Sequence, residues 1–256
     1  MLRIEAIPAL QDNYIWAIIG NGCCAVVDPG DAAPILSWLQ RHALRLNAIL
    51  VTHHHGDHIG GIADLLARHE VPVYGPARED IAVVSRPLDE GDRVTLPEIG
   101  AEFRAMSVPG HTRGHIAYYG HGLLFCGDTL FACGCGRIFE GTAGQLHDSL
   151  QRLAALPGET QVYCTHEYTL GNIAFALGIE PDNARLIERT RQEQDKRTRG
   201  LPTLPSTIAL ELATNPFLRC REPAIRQAAE AYAQRPLATP EAVFAVAREM
   251  KNQFRQ

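Results

Sequence analysis

The stretch Thr52-His-His-His-Gly-Asp-His58 holds four histidines and one aspartate. A chain that enters it as a strand alternates its side chains, so His53 and His55 lie on one side and converge on one point. Asp57 and His58, in the turn that follows, reach a second point nearby. Imidazole and carboxylate together suit zinc, iron and manganese, so metal binding is the chemistry this segment predicts. A lone histidine would read as structural; this density does not.

Three further segments extend the pattern: Pro109-Gly-His111-Thr-Arg-Gly-His115, Phe125-Cys-Gly-Asp128-Thr-Leu130 and Tyr163-Cys-Thr-His166-Glu-Tyr168. Each places a donor just past the end of an expected strand, where α/β folds gather their sites. Asp28-Pro29-Gly30 ends another strand. Asp28 reads equally as a support for the site and as a turn residue before a helix. Cys133-Gly-Cys135 reads as small residues in a tight loop, because no second cysteine pair or fitting histidine stands near to complete a soft-metal site.

The elements that must position these donors follow from periodicity. Period-two or short apolar runs predict strands over Arg3–Ala6, Tyr14–Ile19, Cys23–Asp28, Ala48–Val51, Val71–Tyr74, Val94–Leu96, Glu102–Val108, Ile116–Tyr119, Leu123–Cys126 and Gln161–Cys164. Gly20-Asn-Gly22 reads as a hairpin turn. Helical spacing covers Ala33–His42, Ile62–His69 and Gln145–Leu156. After about Glu167 no strand is expected. Leu170–Leu177, Asn183–Arg199, Ser206–Ala213, Ala224–Gln234 and Pro240–Gln253 all read as helices, with Thr239-Pro240 as a start signal. The mixed charges of Arg185–Arg199 read as a solvated helix face. The expected organisation is a catalytic α/β domain over 1–168 and an all-helical module over 169–256.

Composition sets limits. With 256 residues, 46% of them hydrophobic, the chain can bury a large core. A formal charge of −5 does not favour nucleic acid or anionic membranes, so an anionic ligand needs a local basic patch. No apolar run is long enough to span a membrane, and the N-terminus lacks the pattern of a signal peptide. Seven cysteines, an odd number without an export signal, predict reduced thiols and a cytoplasmic setting.

The motif order resembles the metallo-β-lactamase superfamily, on His53 to His58, the His111 element, Gly127-Asp-Thr129 and His166. The closer resemblance is to glyoxalase II, the hydroxyacylglutathione hydrolases. It is carried by Thr52–His58, Gly127-Asp-Thr-Leu-Phe131, Gly134-Cys-Gly-Arg-Ile-Phe-Glu-Gly-Thr142, Thr165-His-Glu-Tyr168, Asn215-Pro-Phe-Leu-Arg219 and Arg248-Glu-Met-Lys-Asn-Gln-Phe254, and so spans essentially the whole chain. It implies an αββα sandwich with a C-terminal helical domain.

That resemblance implies a centre of two divalent ions, zinc first, with iron and manganese also fitting the donors. His53, His55 and His111 would hold one ion; Asp57, His58 and His166 the other; Asp128 would bridge them together with a hydroxide. Asp57 and Asp128 would thus serve catalysis. His54 and His115 would support the site by hydrogen bonds, while His42, His69, His121 and His147 read as surface or loop residues. The implied reaction is hydroxide attack on the thioester of S-D-lactoylglutathione, with a thiolate that leaves without a strong general acid. Arg137, Phe139, Tyr168, Arg248 and Lys251 would meet the glutathione. Phe139 stands where some members carry tyrosine, which removes a hydroxyl contact, and Arg137 stands where others carry lysine. A monomer acting on a small molecule is expected. An iron persulfide dioxygenase is disfavoured by the complete seven-donor set, an exported β-lactamase by the absent signal, a nuclease by the absent basic face, and a non-catalytic metal or thiol-ligand carrier by the open bridging position.

Overall fold

A computed structural model describes residues 2–254. The chain divides into two compact units: Met1–Val108 with Arg113–Gly127, and Pro109–Thr112 with Asp128–Gln256.

In the first unit, β1 (Arg3–Ala9), β2 (Asn13–Gly20) and β3 (Cys23–Val27) pair antiparallel. Helix α1 (Ala32–His42) then crosses to β4 (Arg45–Leu50), which runs parallel to β3. The Asp31 carboxylate starts α1 by accepting the Ala33 N–H at 2.9 Å. The buried face of α1, Ile35, Trp38 and Leu39, shares a core with Ile15, Val26 and Ile49. Each such side chain contributes about 1.5–3 kcal/mol of burial. Short helices α2 (Gly56–Ile59) and α3 (Ile62–Leu66) lead to β5 (Val73–Pro76) and β6 (Arg86–Leu88), both parallel to β4. The strands β7 (Arg93–Leu96), β8 (Ala101–Ser107), β9 (Ile116–Gly120) and β10 (Leu123–Gly127) form an antiparallel meander.

Parallel pairing places the donors. Val27 stands opposite Leu50, so β3 and β4 end together, and β5, whose Tyr74 stands opposite Leu50, ends two residues further on at Pro76. The residues just beyond those three ends are Asp28, Thr52–His58 and Glu79, which therefore emerge side by side.

The second unit begins with the ribbon β11 (Leu130–Phe131) and β12 (Gly134–Cys135). Helix α4 (Ala143–Ala154) is started by a reciprocal cap between Thr142 and Gln145. After β13 (Gln161–Cys164) come α5 (Thr169–Ile179), α6 (Ala184–Thr198), β14 (Ser206–Thr207), α7 (Ile208–Thr214), α8 (Pro223–Ala233) and α9 (Pro240–Gln253). Thr239 Oγ1 accepts the Ala242 N–H at 3.1 Å, the start the sequence predicts. Among the described residues no helix is long and apolar enough to cross a membrane.

Four expectations need correction. Ser206–Thr207 is a strand paired with Gln161–Val162, and α7 starts two residues later because the Thr207 hydroxyl accepts the Leu210 N–H at 3.2 Å. The Arg185–Arg199 face is not wholly solvated: Arg189 and Glu193 are 1% and 2% exposed. α3 stops at Leu66, and a tighter Arg68 N–H to Leu65 bond of 3.0 Å follows. His147 is largely buried, its ring 5.6 Å from that of Phe244. All seven cysteines are thiols and all are buried. Burial pushes Cys24, Cys133, Cys164 and Cys220 up to about 12.

Candidate metal centre

In the first unit the donors form two pairs. His53 Nε2 and His55 Nδ1 stand 3.1 Å apart. His58 Nε2 stands 3.5 Å from Asp57 Oδ2. The ring faces away from these points are tied down by Asp28. Its Oδ1 accepts the Thr52 N–H at 2.8 Å, and its Oδ2 accepts the Thr52 hydroxyl at 2.8 Å. The Thr52 hydroxyl has then given away its single proton, so it accepts from His53 Nδ1 at 3.0 Å. His58 Nδ1 lies 3.0 Å from Asp28 Oδ2. Asp28 thus sets the His53 tautomer through Thr52, leaving that lone pair on Nε2, and stands at ion-pair distance from His58. This pattern of outer hydrogen bonds orients metal-ligating histidines. It also resolves the reading of Asp28 in favour of support.

Around these pairs, Asn13 Nδ2 donates to Asp57 Oδ2 at 3.2 Å. The buried His115 ring stacks on His53 at 4.6 Å and 20° between planes, so it supports His53 by a ring contact. Gly30 is required where it stands, because a Cβ there would lie 1.9 Å from the Asp57 carbonyl oxygen.

In the second unit Asp128 divides its two oxygens. Oδ2 stands 3.5 Å from His111 Nε2, and Oδ1 stands 3.4 Å from His166 Nε2. His111 Nδ1 donates to the Arg137 carbonyl at 2.7 Å, which again leaves the lone pair on Nε2. All three residues are buried. A carboxylate that offers one oxygen to each of two imidazoles is the arrangement a bridging ligand needs.

The residues expected to meet glutathione are held differently. Tyr168 is half exposed and stacks on His166 at 4.6 Å. Phe139 is exposed and meets the His111 ring edge-on at 5.3 Å. The exposed Arg137 lies over Phe139, 5.5 Å from the ring centre. Lys251, with Glu167, Tyr168 and Asn172, lines a cleft of about 440 Å³, and its Nζ donates to the Gly171 carbonyl at 3.0 Å. Burial, then the neighbouring Arg248, lowers Lys251 to about 8. Arg248 is only 7% exposed and donates to the Cys135 carbonyl at 2.8 Å, over the Phe217 ring. Two residues escaped sequence reasoning: Asn13 and Glu79. Neither carries a pattern signal, since each is a single polar residue whose role arises only when strand ends meet.

A profile of the metallo-β-lactamase superfamily matches residues 10–166, and one described as the hydroxyacylglutathione hydrolase C-terminus matches residues 167–254. A hydroxyacylglutathione hydrolase of Nitrosomonas europaea is 55% identical over 255 residues, covering 100% of this chain and 97% of that protein. One of Pseudomonas aeruginosa is 54% identical, covering 99% and 100%. Among solved structures, ETHE1 from Myxococcus xanthus superposes with a TM-score of 0.68 at 26% identity, covering 100% of this chain and 92% of that one. TTHA1623 in a di-iron-bound form gives 0.59 at 28% identity, covering 84% and 100%. The fold is thus the expected α/β class, a metallo-β-lactamase sandwich followed by a helical C-terminal part. With two adjoining profiles that span residues 10–254 and full-length relatives above half identity, this chain belongs to the hydroxyacylglutathione hydrolase (glyoxalase II) family of the metallo-β-lactamase superfamily.

Proposed function

We propose that this chain is a metal-dependent thioesterase that hydrolyses S-(2-hydroxyacyl)glutathione, chiefly S-D-lactoylglutathione, to glutathione and the hydroxy acid. Family membership supports the reaction class. The observation that carries the metal reading is the divided Asp128 carboxylate, together with the fixed tautomers of His53 and His111.

The donor chemistry fits two divalent ions. In this reading His53, His55 and His111 would hold one ion and Asp57, His58 and His166 the other, with Asp128 shared, the set that the family resemblance implies. Zinc is the first choice for these nitrogen and oxygen donors, with iron or manganese as alternatives. Bound ions supply a water of lowered pKa and positive charge for the carbonyl oxygen. The chain's own part is to orient and to neutralise. Asp28, through Thr52, holds His53 and the Arg137 carbonyl holds His111, while Asp57 and Asp128 would offset about half of the charge of two divalent ions. The thioester C–S bond breaks to release a thiolate, which needs no strong acid.

We assign the reaction to residues 1–168 and glutathione recognition mainly to 169–256, with Arg137 and Phe139 contributing from the first segment. Lys251 offers an ammonium, and Tyr168 and Phe139 offer aromatic faces beside the histidines. Arg248 is assigned a share in the same surface; its bond to the Cys135 carbonyl also braces the ribbon. A monomer in the cytoplasm suits buried thiols and a small-molecule substrate. The test is loss of thioester absorbance from S-D-lactoylglutathione with metal-loaded protein. Rapid hydrolysis that stops on chelation is expected. No hydrolysis with two equivalents of metal bound would reject the reading.

A further inference from the structure

We infer that Glu79 is a positioning residue that sets how tightly His53 and His55 hold metal, an inference that rests on the dinuclear reading above. Glu79 lies just past the carboxyl end of β5, beside the loop that leaves β4. Its side chain is 3% exposed. One oxygen, Oε2, accepts two bonds from a single residue: the His54 N–H at 2.6 Å and His54 Nδ1 at 2.8 Å. The other, Oε1, accepts the Gly114 N–H at 3.2 Å. One carboxylate therefore joins the histidine loop to the segment that leads into His115 and β9.

The geometry explains why this matters for metal. In an extended chain His54 lies opposite to His53 and His55. Holding both the backbone and the ring of His54 on the Glu79 side keeps its two neighbours on the other side. The peptide that links His53 to His54 is fixed at its N–H, which restrains the backbone from which both neighbours project. Gly114 is the second sign that the clamp is built. A Cβ there would lie 2.4 Å from Glu79 Cγ and 2.8 Å from the Arg78 carbonyl oxygen, so the segment can approach Glu79 only as glycine. Glu79 touches no reacting atom; it acts through His54.

The experiment is competition for zinc between the full chain and a chromophoric chelator, for the unsubstituted protein and for Glu79→Ala, Glu79→Gln, His54→Ala and the Glu79→Ala/His54→Ala pair. Outer hydrogen bonds to metal ligands are worth about 10–100-fold in affinity, and Glu79→Ala is expected to weaken one of the two sites by that amount. Glu79→Gln keeps the side-chain volume and one acceptor oxygen, and should fall between. The double variant should bind no more weakly than Glu79→Ala, because both changes cut one link. A purely structural role would lower the thermal midpoint of the metal-free protein and leave zinc affinity within twofold; that result in Glu79→Gln or Glu79→Ala overturns the inference, as does multiplication of the two single effects. Should Glu79→Ala not fold, Glu79→Gln decides. Failure of the unsubstituted chain to take up two ions would instead overturn the dinuclear reading, and this inference with it.

Discussion

The loop Thr52–His58 and the ribbon Leu130–Cys135 both bear on the metal donors, yet they are held in opposite ways. The loop carries its donors on consecutive residues and is braced from adjacent strand ends, by Asp28, Glu79 and Asn13, each with one or two bonds. The ribbon carries no donor itself; it connects Asp128 to Arg137, whose carbonyl orients His111. Its brace comes from far along the chain. Glu211 Oε2 accepts the Cys133 N–H at 2.7 Å, and Asn215 Nδ2 donates to the Phe131 and Gly134 carbonyls at 3.2 and 2.9 Å. Glu211 in turn is paired with Arg189 at 2.7 Å, both fully buried, and accepts the Ser206 hydroxyl. Burial is the largest influence on the Arg189 pKa and lowers it, but the Glu211 charge and hydrogen bond together with Cys133 and Glu193 outweigh it, and the net shift is upward. The helical part therefore holds the segment on which Asp128 and His111 depend.

This contrast can be broken by substitution. The largest effect is expected at a donor: Asp128→Ala should abolish thioester hydrolysis and metal uptake while the fold survives, as seen by metal analysis and circular dichroism. Near-normal metal content would remove Asp128 from the centre. Next comes the brace. Arg189→Met leaves the Glu211 charge buried without its partner, which costs about 3–5 kcal/mol. Urea unfolding measures this, and a loss below 1 kcal/mol would show that the ribbon is held by something else.

Lys251→Met should raise KM about tenfold or more with kcat little changed, as expected for one charge-assisted contact remote from the carbonyl. The same residue predicts a pH dependence. With Lys251 at about 8, the ammonium is present below that value and is lost as pH rises through it, so KM should climb above pH 8 in the unsubstituted chain and stay flat in the variant. Parallel profiles would dismiss the contact. The smallest effect belongs to Arg93→Ala on the exposed Arg93–Glu102 pair, worth no more than about 1 kcal/mol in thermal stability.

The same contrast explains what was legible in the sequence. The strand and helix periods show in the sequence because each needs only local residue types; most elements lie within three residues of expectation. The β14 pairing does not, because two residues carry no period. The donors of Thr52–His58 are conspicuous because they cluster. Asp128 and His166 stand out less, and gain their meaning from the family resemblance. Glu79, Asn13, Arg189 and Glu211 are single polar residues among many, and their partners lie between 22 and 78 positions away. Nothing local distinguishes a carboxylate that will be buried and shared from one that will face water.

The buried thiols have a consequence for chemistry in the working environment. The proposed reaction releases a thiol at every turnover, and that thiol's oxidised form is a partner for disulfide exchange. Exchange needs a thiolate to attack, and a group at about 12 is ionised to roughly one part in a hundred thousand at pH 7. Cys24, Cys133, Cys164 and Cys220 are thus chemically silent toward the enzyme's own product and toward its oxidised form. The chain can work in concentrated glutathione without being glutathionylated at these positions.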